Sequence, residues 1–159
     1  MKTSSIDQVK KLYQKTADSY DKMMDGEIEH PVYSDTLKRL ADRIVDIPGP
    51  VIDTSCGSGH MLYLYHERFD PQRPLIGVDL SPRMVEITNE KLGSHAETFI
   101  ADMRDLGKIS SGSSAAVLSF FCYSSFRFSR CSFGISGVAA RSLLPGSTYN
   151  CYMGGNWSN

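Results

Sequence analysis

The chain has 159 residues, a net charge of −1, 22% charged residues and 41% hydrophobic ones. That is enough sequence for one domain with a soluble protein's composition, and the charge balance gives no electrostatic case for nucleic acid or an acidic membrane. The opening stretch MKTSSIDQVKKLYQK has no apolar core of signal-peptide length, and the longest apolar run, Ala115 to Tyr123, is too short to span a bilayer, so the chain reads as cytosolic.

Residues 4–24 suggest a helix opened by Ser4 or Ser5, with Ile6, Val9, Leu12, Tyr13, Ala17 and Tyr20 at helical spacing. Pro31 begins a second helical pattern with Val32, Leu37, Leu40, Ile44 and Val45 on one stripe, closed by IPGP at 47–50. The rhythm then changes. PVIDTS (50–55) is a short β-type run ending in CGSG, and HMLYLYHERF (60–69) reads as a helix. PLIGVDL (74–80) is a second strand. SPRMVEITNEKLG (81–93) is a helix with Ser81 as N-cap, Pro82 in its first turn and Gly93 just past its end. AETFIAD (96–102) and SAAVLSFF (114–121) are third and fourth strands, joined by the loop MRDLGKISSGSS. Strand and helix alternating at this length predict an α/β fold, a Rossmann-like doubly wound parallel sheet covered by helices.

Such sheets bind ligands beyond the carboxyl ends of their strands. Asp53 and the CGSG loop follow the first strand there, where Gly57 and Gly59 let a ligand approach the main chain and the next helix offers unpaired N–H groups. Asp79 ends the second strand, placed to accept hydrogen bonds from two ribose hydroxyls, and Asp102 ends the third, within reach of an adenine amino group with Met103 beside it. The loop lacks the third glycine of G-x-G-x-x-G, Leu62 standing in its place, and no Walker pattern exists, so a nucleoside without phosphates fits better than a dinucleotide. The four cysteines, Cys56, Cys122, Cys131 and Cys151, form no C-x-x-C pair and sit at no zinc spacing; reduced thiols and no metal site are expected. His60 and His66, on the helix after the loop, are expected at the surface, and no general base stands out.

VIDTSCGSGHML resembles the first motif of the class I S-adenosylmethionine-dependent methyltransferases, LIGVDLSPRMVEIT their second and FIADMRDL their third. LYQKTADSYDKMM (12–24) is similar to a Y-x-x-x-A-x-x-Y-D segment that precedes the domain in a small-molecule branch of that family. The resemblance implies S-adenosylmethionine as cofactor and a small-molecule methyl acceptor, with neither nucleic acid nor membrane as partner and no oligomeric state assigned. It also implies roles residue by residue. Asp53, Cys56, Gly57 and Gly59 would form the methionine-side loop, Asp79 would hold the ribose with Leu80 against the adenine, and Asp102 and Met103 would meet the adenine edge. Tyr13 and Tyr20 would belong to a lid, helix-face packing being the other reading of both. Ser55 departs from the family's glycine, and its Cβ is expected to crowd the loop. The rivals are a non-catalytic nucleoside-binding fragment acting with a partner chain, and a nicotinamide-dependent oxidoreductase.

The resemblance divides the chain into an N-terminal helical lid (1–49), a cofactor-binding half-domain (50–121) and an atypical tail (122–159). All 18 acidic residues lie at or before Asp105. At about 12% acidic content, so long an acid-free stretch is roughly a one-in-a-thousand event. A shifted reading frame would account for it: a Met codon followed by a Gly codon, as at Met153–Gly154, reads Trp one nucleotide later, and degeneracy permits the family's post-strand His-His pair and next strand; a genuine but divergent, disordered tail rich in Ser, Cys and Gly is the other reading. With no fifth strand, the fourth is expected to be an exposed apolar edge.

Overall fold

The computed structural model describes residues 6–107, 109–110, 113–120, 139–142 and 151–154. In chain order these form α1 (Ile6–Glu27), α2 (Pro31–Ile44), β1 (Val51–Asp53), α3 (His60–Arg68), β2 (Leu75–Asp79), α4 (Pro82–Leu92), a 3-10 turn (Gly93–His95), β3 (Ala96–Ile100), β4 (Ala116–Leu118), β5 (Ala139–Ser142) and β6 (Cys151–Gly154). None of the described helices is long and apolar enough to cross a membrane.

The strands form one sheet of order β3-β2-β1-β4-β6-β5. β1 pairs in parallel with β2 and β4, and β2 in parallel with β3. The strand order reverses beside β1, so the crevice lies above the carboxyl ends of β1 and β4. The sequence pattern anticipates these four strands and the helices between them. It does not anticipate the two strands beyond β4. That strand is not a bare edge: β6 pairs with it antiparallel, and β5 pairs antiparallel with β6. Backbone groups on the far side of β4 thus find partners, which corrects the exposed-edge expectation. The remainder of the tail expected at 122–159 lies outside the described residues.

Period-two alternation assigns the strand side chains to two faces. Val51, Leu75, Ala116 and Leu118 join a core with Leu37, Leu40 and Ile44 of α2, Leu62 and Tyr65 of α3, and Leu92 of α4. Ile52, Val78 and Val117 take the opposite face and are covered by Leu106, with Ile109 packed alongside. Leu37 and Ile44 are fully buried, each worth about 2 kcal/mol of burial. α1 rests on α4 through Ala17, Met84 and Ile87, with Tyr13 and Tyr20 against them.

Two caps hold the helices in place. The His30 ring accepts from Val32 N at 3.2 Å at the start of α2. At its other end Arg73, nearly buried, donates to the carbonyls of Ile44 (3.1 Å), Ile47 (2.7 Å) and Gly49 (3.2 Å) and pairs with Asp70 at 2.9 Å. One guanidinium thereby satisfies the last carbonyl of α2 and two in the connection that follows, and aims the chain into β1.

Candidate functional site

β1 ends at Asp53, and the chain turns at once into α3. Thr54 N and Oγ1 both donate to Leu118 O of β4, at 3.0 and 3.1 Å, and Cys56 N donates to Val78 O of β2 at 2.9 Å. The loop is therefore stitched to both neighbours of β1. Gly57 and Gly59 have φ of 53° and 80°, a region that side-chain-bearing residues resist. A Cβ on Gly59 would stand 2.9 Å from the Thr88 methyl, and one on Gly57 would stand 3.2 Å from the Tyr20 ring. Thr88 of α4 donates to Gly57 O at 2.9 Å and so clamps the loop from the far side. Sequence reading missed Thr88; its spacing after Ser81 gives no signal by itself.

Ser55, at the family's glycine place, is bonded on both sides. Its N–H bonds Asp53 Oδ1 at 3.1 Å, and its hydroxyl pairs with that of Ser119, at the end of β4, at 3.1 Å. Cys56 is buried, its sulfur 3.8 Å from Thr88 Oγ1, and burial pushes its thiol well above the usual range.

Asp53 and Asp79 face the same loop. Asp79 Oδ2 accepts from Gly57 N at 3.0 Å and its Oδ1 from Ser81 N at 2.8 Å. Asp53 is 1% exposed, and burial pushes its carboxyl up to about 7, the Asp79 charge adding to the rise and the Ser55 N–H opposing it. Asp79 is raised as well, again by burial, against the N–H groups of Ser81, Gly57 and Leu80. Two poorly solvated carboxylates beside a loop of open backbone repel phosphate and favour a ligand with positive charge and hydroxyl donors. A carboxylate has about four acceptor directions, so each retains capacity for such donors.

The third aspartate differs. Asp102 lies at the end of β3, where Ala101 N donates to Asp79 O at 3.0 Å, and is only partly exposed. Its carboxylate accepts from Arg104 N and Nε, both at 2.9 Å, and the guanidinium holds it below the usual carboxylate range. Leu80 and Met103 flank Asp79 and Asp102 in sequence and are half-buried. Tyr20 lies across the glycine loop, and burial raises its phenol, with the Asp53 charge adding to the rise. Tyr13, earlier in α1, packs like Tyr20 against the cluster of Ala17, Met84 and Ile87.

The histidine expectation is overturned. His60 and His66 are buried, at 6% and 8% exposure. His60, the first residue of α3, lines a small pocket with Tyr20, Met24, Asp53, Ser55, Cys56, Ser58 and Met61. Asp21, Asp25 and His60 bring three donor atoms within 4.8 Å of one another. The positive charge at their centre is the Lys91 ammonium, 2.9 Å from Asp21 Oδ1 and 2.8 Å from His60 Nε2.

Residues 51–139, more than half the chain, match the family described as a methyltransferase domain. The chain is 28% identical over 98 residues to the malonyl-[acyl-carrier protein] O-methyltransferase of Anoxybacillus flavithermus, covering 61% of this chain and 35% of that one. It is 39% identical over 54 residues to the trans-aconitate 2-methyltransferase of Sinorhizobium fredii, covering 33% and 21%. It thus spans about a third or less of the length of these relatives. Among solved structures, a geranyl diphosphate methyltransferase with sinefungin aligns at TM-score 0.44 and 28% identity over 54% of this chain and 34% of that one. A plantazolicin methyltransferase with S-adenosylhomocysteine aligns at TM-score 0.48 and 18% identity, over 74% and 49%. With the glycine loop after β1 and aspartates closing the first three strands, the chain belongs to the methyltransferase-domain family, the class I S-adenosylmethionine-dependent methyltransferases.

Proposed function

We propose that this chain binds S-adenosylmethionine over the β1–α3 loop and passes its methyl group to a small-molecule acceptor. The observation that carries the reading is the pair of poorly solvated carboxylates, buried Asp53 and half-buried Asp79, beside a loop whose glycines leave the backbone open. The cofactor presents a sulfonium, an ammonium and ribose hydroxyls, and no phosphate; when bound it supplies a methyl carbon already activated by the positive sulfur. The residues here then need to bind and align. Asp79 accepts from the ribose and Asp53 offsets positive charge at the methionine end. Leu80, Asp102 and Met103 border the adenine, Asp102 being freed for it to the extent that Arg104 yields. Tyr20 covers the loop and swings aside on entry. The acceptor approaches past the end of β4, where Phe120 meets Tyr33 of α2 at 6.4 Å between ring centroids. Catalysis rests largely on orientation, since alignment of two reactants can supply most of the rate enhancement needed.

Calorimetric titration with S-adenosylhomocysteine and, in parallel, with NAD tests the cofactor. Binding of the first alone supports the reading; binding of NAD alone replaces it with the oxidoreductase. Transfer of radiolabelled methyl to a panel of small acceptors tests the reaction, and binding without transfer favours a nucleoside-binding module that acts with a partner chain. The reading frame of residues 122–159 bears on the same point. Sequencing the coding nucleic acid from Leu118 onward shows whether a neighbouring frame restores the family's continuation, in which case the chain with that continuation is the one expected to turn over.

A further inference from the structure

His60 joins the glycine loop to α1. Its Nε2 lies 2.9 Å from Asp25 Oδ1 and its Nδ1 3.0 Å from Ser58 Oγ. The His60 bond holds Asp25 below the usual carboxylate range, so Asp25 is ionised and can only accept. Nε2 therefore carries the proton, Nδ1 is the acceptor, and the Ser58 hydroxyl must donate to it. Lys91 Nζ stands 2.8 Å from Nε2 and 3.2 Å from Nδ1. The two ring lone pairs diverge, so a group nearly equidistant from both nitrogens sits over the ring face and leaves the in-plane bonds intact. Burial lowers the imidazole's affinity for a second proton and the Lys91 charge lowers it further, against Asp25 and Asp21 of α1. The ring is neutral at neutral pH.

Ser58 is 1% exposed and lines the pocket with His60 and Asp53. With its proton committed to His60, it presents only lone pairs to the pocket. We propose that Asp25 and His60 are positioning residues that fix Ser58 as an acceptor for the ammonium of the cofactor's amino-acid end, and that protonation of His60 weakens this. A doubly protonated imidazole donates from Nδ1 and occupies one Ser58 lone pair, so the hydroxyl proton takes one of the two remaining directions and a single lone pair is left for the ammonium. Cofactor affinity then falls as pH drops through the His60 titration. Asp25 belongs to α1, so the acceptor is set only while α1 is docked. The inference rests on the cofactor assignment proposed above.

The test tracks the imidazole itself, because Asp53 titrates in a neighbouring range and confounds affinity alone. His60 is titrated by nitrogen-detected NMR in the free chain, with S-adenosylhomocysteine, and with 5′-methylthioadenosine, which has the nucleoside but no ammonium. Expected is an Nε2–H tautomer, a titration lowered by half a pH unit or more by S-adenosylhomocysteine, and no such shift with methylthioadenosine. Ser58→Ala should abolish the difference between the two ligands. Asp25→Ala, at an exposed position that the fold tolerates, should shrink it and release the tautomer. A difference that persists in Ser58→Ala reduces the effect to charge repulsion and overturns the proposal, as does an Nδ1–H tautomer or equal shifts with both ligands. Binding of neither ligand instead overturns the cofactor assignment, and the proposal with it.

Discussion

The aspartates at the ends of β1 and β2 and the one at the end of β3 look alike in sequence and have different partners. Asp53 is buried and Asp79 half-buried; both accept from backbone N–H groups, and burial raises both carboxyls. Asp102 is also half-buried, but has a guanidinium on its carboxylate. One side of the site is strained towards accepting a cation; the other is already satisfied. The difference teaches where ligand binding is expected to yield free energy: on the methionine and ribose side, where a positive ligand relieves a desolvation cost, and little at the adenine edge, where an existing ion pair must be exchanged.

The sharpest way to break this contrast is at the loop beneath Asp53 and Asp79. Gly59→Ala forces a side chain into φ of 80° and within 2.9 Å of Thr88 Cγ2. A loss of about 2–3 kcal/mol in denaturant unfolding is expected, with ligand binding undetectable by calorimetry. Adding Thr88→Ala should recover the steric part of the loss and not the backbone part.

Asp53→Asn separates binding from stability. The Asp53 carboxyl, raised to about 7, is above its unfolded value, so the native state holds the proton more tightly than the unfolded chain does. Its ionisation therefore lowers stability as pH rises from the ordinary carboxylate range through 7, by an amount on the order of 4 kcal/mol at alkaline pH. The asparagine variant should melt several degrees higher than the parent at pH 8 and nearly level with it at pH 4.5, while S-adenosylhomocysteine affinity falls at least about tenfold at pH 8. A variant that binds normally would refute the cation-binding role of the pair. In the parent chain, ligand binding at pH 7 should release protons from Asp53, measured by calorimetry in buffers of different ionisation enthalpy.

The smallest effect is expected at the third strand. Asp102→Asn should change stability by less than about 0.5 kcal/mol, since partly exposed ion pairs contribute little, and weaken nucleoside binding only a few-fold. Arg104→Ala, which frees the carboxylate, should strengthen it slightly. Equal large losses at Asp102 and Asp53 would erase the distinction between the two sides.

Much of this was legible without coordinates. The Ser81 cap, with the Pro82 start and Gly93 after the last turn, marks α4 because those residues have local conformational reasons for their places. Asp53, Gly57, Gly59 and Asp79 fall at strand ends because period-two runs stop there, and the structure brings them to one loop. His60 was misjudged because its neighbours in sequence do not show what covers it; Asp21 and Asp25 come from α1 and Lys91 from α4. Arg73 reads as a surface cation until the carbonyls at the end of α2 arrive beside it. The pairing of β6 with β4 had no helical or alternating signal to announce it.

The sequence by itself determined the order of strands and helices through β4, the parallel sheet they imply, and the family, because hydrophobic period, caps and glycine placement are local properties of the chain. Only the tertiary structure decided which carboxylates are burdened and which are paired, that Ser58 faces a histidine, and that Tyr20 lies on Gly57. Those outcomes depend on burial and on charges far apart in sequence, and desolvation acts only once the surrounding elements have excluded the water.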